Sequence, residues 1–112
     1  VTHGAGLAVV WPNWARYVYK ERIERFVQFA VNVMEIVPCK CVEETALKGI
    51  HAMENFYHAI NMPTTLKELG LEPTEADLKE MAEKCDYRSD GTIGIVKKLT
   101  VSDVFAVLKC SR

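Results

Sequence analysis

No stretch of this 112-residue chain alternates apolar and polar residues for long enough to make a secure strand. Sandwiches, barrels and doubly wound sheets are therefore set aside, and an all-α fold is expected. Charge of one sign is also lacking. Lys and Arg number 14 against 15 Asp and Glu, giving a net charge of -1 with both signs interspersed. With no basic face, neither nucleic acid nor an anionic membrane is an expected partner. No apolar run approaches the length of a membrane span, and no signal peptide is visible, which points to a cytoplasmic protein. No glycine-rich phosphate loop is present, and no Ser/His/Asp grouping can be assembled. Glu21, Glu24, Glu43 and Glu44 are helix-face charges rather than a carboxylate pair of defined separation. The 4 cysteines lack paired spacing, since only Cys39-Lys40-Cys41 comes close and Cys85 and Cys110 stand alone. Zinc modules need pairs about two to four residues apart, so reduced, structurally incidental thiols are expected.

Helical signals fill the space these absences leave. Leu7 to Tyr19 is apolar nearly all round and reads as a buried helix, bent at Pro12 or restarted with Pro12 in its first turn. Ile23, Phe26, Val27, Ala30, Val33 and Met34 recur at helical spacing and should end before Val37-Pro38. A longer helix is expected from Val42 to Ile60, with Ala46, Ile50, Met53, Tyr57 and Ile60 as its core stripe. Thr64-Thr65 should cap a short helix over Leu66 to Leu69, closed by Gly70. Thr74 and Asp77 form a short-armed capping box for a helix carrying Leu78, Met81 and Ala82 to about Cys85. Thr100 with Asp103 repeats that pattern ahead of Val104, Val107 and Leu108. The stretch "DYRSDGTIG" holds turn formers and could line a pocket. Together these make a single domain of about six helices, without internal repeat or linker.

Three histidines are candidates for chemistry. His3 sits at the start of the apolar helix, where free N–H groups and the positive end of the dipole favour neutral imidazole, the form that binds a metal. Gly4 and Gly6 leave room for close approach beside it. By spacing alone His3 reads better as a frayed terminal residue, because one imidazole cannot hold a metal that needs three or four ligands. His51 and His58 lie roughly 10 Å apart along one helix, too far for a shared ion, and read as solvated surface.

The opening "THGAGLAVVWPNWARYV" resembles the segment of iron-containing alcohol dehydrogenases in which a His-Gly pair begins a buried helix. The likeness is closest to the butanol dehydrogenase branch. It continues through "KERIERFVQFAVNV", "MPTTLKELGL", "DGTIG" and "LTVSDVFAVLKCSR", and so covers nearly the whole chain. The His-Gly stretch and "PTTLKELG" are its most specific parts. "EIVPCKCVEETALKGI" departs from the family pattern in its cysteines and reads as a variable helix connection.

The resemblance implies that residues 1–112 are the C-terminal part of the helical domain of a dehydroquinate synthase-like fold. The N-terminal α/β nucleotide-binding domain and the first part of the helical domain would lie outside the chain. It implies that His3 is the last metal ligand, with an Asp and two further His upstream, and it assigns no catalytic or cofactor-binding residue here. The intact protein would interconvert a primary alcohol such as butanol and its aldehyde using NAD(P)(H) and a divalent metal, iron or zinc, as a homo-oligomer. The 112 residues alone would be inactive. Their partners would be the alcohol or aldehyde and the missing N-terminal part of the same protein. The competing expectation is a free-standing helical interaction module in which His3 is incidental. A helix-turn-helix DNA binder is disfavoured, because no candidate recognition helix is basic.

Overall fold

The computed structural model describes residues 3–112, so Val1 and Thr2 at the head of the quoted opening motif lie outside the described residues. Five α-helices and one 3-10 segment make up the fold: α1 (His3–Val18), the 3-10 segment Tyr19–Arg22, α2 (Ile23–Asn32), α3 (Val42–Ala59), α4 (Glu75–Glu83) and α5 (Val101–Cys110). The only β-pairing among the described residues is a single antiparallel bridge between Ile93 and Leu99.

α2 packs along α3, α4 packs along α5, and α1 lies against both α3 and α5. Its contribution to two cores follows from its sequence. Ala15 and Val18 join Tyr19, Phe26, Ala46, Ile50 and Leu99 in one cluster, while Val9 joins Leu66, Leu78, Ala82 and Leu108 in the other. The buried face of α1 is built from small residues, Ala5, Ala8, Pro12 and Ala15 at helical spacing, which lets its backbone come close to its neighbours.

Several expectations are corrected. α1 runs unbroken through Pro12, so no helix restarts there. Pro12 is fully buried in that close-packed face, and packing outweighs the local preference against it. Nor is α1 buried all round, because Leu7 is 52% exposed on its far side. α2 stops at Asn32, two residues short of Met34, and Glu35 takes a positive φ of 58° in the turn that follows. The expected helix over Leu66 to Leu69 is a turn. There Leu69 N–H donates to Thr65 O and Leu66 O, Gly70 N–H to Lys67 O, and Leu71 N–H to Leu66 O. Gly70 at φ 85° closes it before a second helical turn can form. In α3 the stripe holds at Ala46 and Ile50, but Ile60 is 52% exposed beyond the helix end.

Both capping boxes form. Thr74 Oγ1 accepts from Asp77 N–H while Asp77 Oδ2 accepts from Thr74 N–H, and Thr100 with Asp103 does the same for α5. The C-terminus is tied in by Ser111, which is fully buried. Its hydroxyl donates to Val107 O at 2.9 Å and accepts from Asn13 Nδ2, and its carbonyl accepts from Leu66 N–H at 2.7 Å. One short residue thereby joins α1, α5 and the turn before α4.

Candidate functional site

His3 is the first residue of α1, and its side chain is exposed. Gly6 has open space where a Cβ would stand, and a Cβ on Gly4 would meet only Met62 Cε, at 3.9 Å. The first turn of α1 is thus bare on its outer side, with N–H groups not yet used by the helix ladder. Below it the helix is gripped through Ala5, Ala8 and Val9, so the imidazole is mounted on a packed element. Among the described residues no group of three or more His, Cys, Asp or Glu comes together.

Met62 also lines a recess of about 370 Å3 with His58, Asn61, Pro63 and Glu68, so the head of α1 lies beside this recess. His58 was expected to be plain solvated surface. Its ring is indeed half exposed, but His58 Nε2 lies 2.7 Å from the hydroxyl of buried Thr64. Glu68 Oε1 accepts from both the Thr64 hydroxyl, at 3.0 Å, and the Thr64 N–H, at 3.3 Å. With the Thr64 proton directed to the carboxylate, the Thr64 oxygen is placed to accept from His58 Nε2, so the three side chains form one hydrogen-bonded chain. This cluster clasps the end of α3 to the turn at Thr64–Gly70. Sequence reasoning missed it, since nothing in the spacing of His58, Thr64 and Glu68 marks them as neighbours.

His51 is exposed and lies 3.8 Å from Glu54, whose carboxylate receives both guanidinium nitrogens of Arg16 at 2.5 and 3.2 Å. His51 and His58 thus have separate partners, Glu54 and Thr64. The cysteines are free, with Cys39 and Cys85 half-buried and Cys41 and Cys110 exposed. Glu21, Glu24, Glu43 and Glu44 are all exposed.

The "DGTIG" loop does line a pocket. Ile93 and Gly94 line an apolar cleft of about 360 Å3 together with Val10, Trp14, Met81 and Val107. Gly94 holds a φ of 101°, and a Cβ there would lie 2.7 Å from Lys97 O, so the loop requires glycine at this point. At the outer edge of α5, Tyr17 donates to Asp103 Oδ1 at 2.5 Å. That bond, then the Thr100 N–H, holds the Asp103 carboxyl below its ordinary range, while the Tyr17 phenol is pushed up chiefly by the same bond.

An exposed His-Gly turn on a packed helix, with no group of three or more metal-binding side chains near it among the described residues, is not by itself a complete active site. The sequence profile of the Fe-containing alcohol dehydrogenase family, C-terminal part, matches residues 1–111. The chain belongs to that family. It is 31% identical over 112 residues to NADH-dependent butanol dehydrogenase A of Clostridium acetobutylicum, and 33% identical over 112 residues to probable NADH-dependent butanol dehydrogenase 1 of Bacillus subtilis. Each alignment covers 99% of this chain and 28% of the relative. The crystal structure of NADH-dependent butanol dehydrogenase A from Thermotoga maritima superposes with a TM-score of 0.84 at 30% identity, over 99% of this chain and 29% of that one. The chain therefore spans a little over a quarter of the length of these relatives. Among the described residues no helix is long and apolar enough to cross a membrane.

The family name implies iron, and the donor set tests the fit. One exposed imidazole beside two glycines suits one position of a divalent-metal centre, and the described residues do not complete the set.

Proposed function

We propose that this chain is the C-terminal helical part of a metal-dependent dehydrogenase that interconverts a primary alcohol such as butanol and its aldehyde with NAD(P)(H). His3 is one of its metal ligands. The remaining ligands and the nucleotide-binding α/β domain come from the rest of the polypeptide, and the intact protein works as a cytoplasmic homo-oligomer. The observation that carries this reading is the run of similarity to NADH-dependent butanol dehydrogenases over 99% of the chain, with a packed helix opening on His3.

A divalent ion, iron or zinc, supplies Lewis acidity toward the alcohol or aldehyde oxygen when bound. The residues of this chain position and shield. His3 offers a ring nitrogen from the exposed first turn of α1. The buried Ala5, Ala8 and Val9 face holds that turn still, and the absent side chains of Gly4 and Gly6 leave space for groups arriving from outside the chain.

The test is His3→Ala in the full-length polypeptide, with metal content read by elemental analysis and butyraldehyde-dependent NADH oxidation read optically. Loss of both, with an unchanged helical circular dichroism spectrum, is expected. The 112-residue chain alone should give no metal-dependent turnover. Retained metal and turnover in His3→Ala would overturn the assignment.

A further inference from the structure

Two of the four thiols sit one residue apart, where the connection from α2 enters α3. Cys39 is half-buried, Cys41 is exposed, and both are free. Cys41 is the N-cap residue of α3, and its side chain makes no capping hydrogen bond. The Cys39 thiol has a single long contact, 3.7 Å to Val37 O. Neither sulfur is therefore held by a strong partner, and both are free to turn.

The backbone between them, in contrast, is clamped by Thr45, a buried residue in the first turn of α3. Its hydroxyl accepts from Cys39 N–H at 2.9 Å and donates to Cys41 O at 3.3 Å, while its own N–H donates to Cys41 O at 3.2 Å. One oxygen that reaches both ends of the Cys-Lys-Cys stretch keeps Cys39 N and Cys41 O within about 6 Å, whereas three extended residues would span roughly 10 Å. The chain bends at Lys40 and Cys41 accordingly. Cα atoms two positions apart stand at most about 7 Å from each other, and a bend draws them toward the range of about 4.4–6.8 Å that disulfides span. Lys40, between the two thiols, is exposed and forms no ion pair among the described residues.

We propose that Cys39 and Cys41 form a reversible thiol–disulfide site that reacts with anionic low-molecular-weight disulfides of the glutathione type. Cys41, the accessible thiol, attacks first. Its thiolate displaces one thiolate from the disulfide RS–SR and forms a Cys41–SR mixed disulfide, with the Lys40 ammonium beside it to meet the carboxylates of RS. Cys39 then attacks Cys41 Sγ, expels the second RS thiolate and closes the Cys39–Cys41 bond. Two cysteine thiols are oxidised, one RSSR is reduced to two RSH, and the two protons given up by the cysteines end on the released thiols. In a reducing compartment the pair rests as the dithiol and oxidises transiently. The site is additional to the proposed dehydrogenase activity and does not depend on it.

Treating the full-length protein with glutathione disulfide tests this. Trypsin cuts after Lys40, between the two cysteines, so residues 26–40 and 41–48 separate when the thiols are reduced and stay joined when the internal bond has formed. After alkylation of the remaining thiols, mass spectrometry of the digest should show the joined pair, and dithiothreitol should abolish it. Cys39→Ser should instead leave a lasting glutathione adduct on Cys41, and Cys41→Ser should give no joined pair. Thr45→Val keeps the buried volume but removes the hydroxyl clamp, so ring closure should slow several-fold and the Cys41 adduct should accumulate. Thr45→Ser, which restores the hydroxyl, should close at the parental rate. A lasting Cys41 adduct in the parent, no reaction at either thiol, or a Thr45→Val protein that closes as fast as the parent would each overturn the proposal.

Discussion

Gly49→Ala exposes how tightly α2 and α3 are joined. Glycine inside a helix is unfavourable by about 0.8–1 kcal/mol relative to alanine, so on propensity alone the substitution should stabilise α3. The structure reverses the sign. A Cβ at Gly49 would stand 2.8 Å from Ala30 Cα and closer still to Ala30 Cβ, and both residues are fully enclosed between the helices. The atoms in the way are backbone and a Cβ, which have no rotamer to change, so the two helices must separate. Overpacking of a close-packed interior costs about 1–3 kcal/mol, and a contact with no flexible atom belongs at the top of that range. Subtracting the propensity gain of about 1 kcal/mol leaves a net loss of about 2 kcal/mol, or about 10 °C in Tm for a domain of this size. Guanidinium unfolding followed by circular dichroism would measure it. Gly6→Ala is the matched control, since a Cβ there meets nothing within 4 Å, and it should stabilise by up to about 1 kcal/mol. Adding Ala30→Gly to Gly49→Ala should recover part of the loss, giving a favourable coupling in the double-mutant cycle. A Gly49→Ala protein as stable as the parent would refute the claim that α2 and α3 touch through this point.

Ser111→Ala removes a buried hydroxyl that donates to Val107 O and accepts from Asn13, and should cost about 1–2 kcal/mol in the same unfolding assay. Tyr17→Phe should weaken the acid dependence of stability. The folded Asp103 carboxyl is depressed first by Tyr17, so its contribution is present above the unfolded carboxylate value near 3.9 and is lost as pH falls through the lower folded value. The stability gap between Tyr17→Phe and the parent should therefore be open at pH 7 and close as pH falls below the ordinary carboxylate range; a gap independent of pH would exclude the ionised bond as its source. His3→Ala in the full-length protein should lose bound metal, read by elemental analysis, without losing helix content.

The helices were legible where local chemistry is decisive. Thr74 with Asp77 and Thr100 with Asp103 mark their helix starts, because a capping box is made from side chains three residues apart and needs nothing else from the fold. The turn over Leu66 to Leu69 was misread because a threonine cap and a closing glycine leave the same sequence mark whether one helical turn or several lie between them. At Pro12 a bend or a restart was open, and the continuous helix excludes the restart. The proline's local preference is against a helix interior, and the packing of the small-residue face of α1 prevails. His58 read as solvent-facing because its partners, Thr64 and Glu68, are brought to it only when the turn after α3 folds back. Gly49 carried a faint signal, an isolated glycine in a helical pattern, but only its neighbour across the interface explains it.

The sequence by itself determined the all-α class, the two capped helices near the C-terminus and the His-Gly opening that places the chain in its family. Each of these is written in residues a few positions apart, and short-range hydrogen bonds or motif chemistry are enough to specify them. Only the tertiary structure decided that α1 buries its alanines, leaves Leu7 exposed and holds Val10, Trp11 and Trp14 half-buried, because a helix apolar on every side does not say which face finds a partner. That choice is made by close approach: small side chains let α1 settle against α3 and α5, while Val10, Trp11 and Trp14 pack half-buried at the margins of the cores and Leu7 faces out.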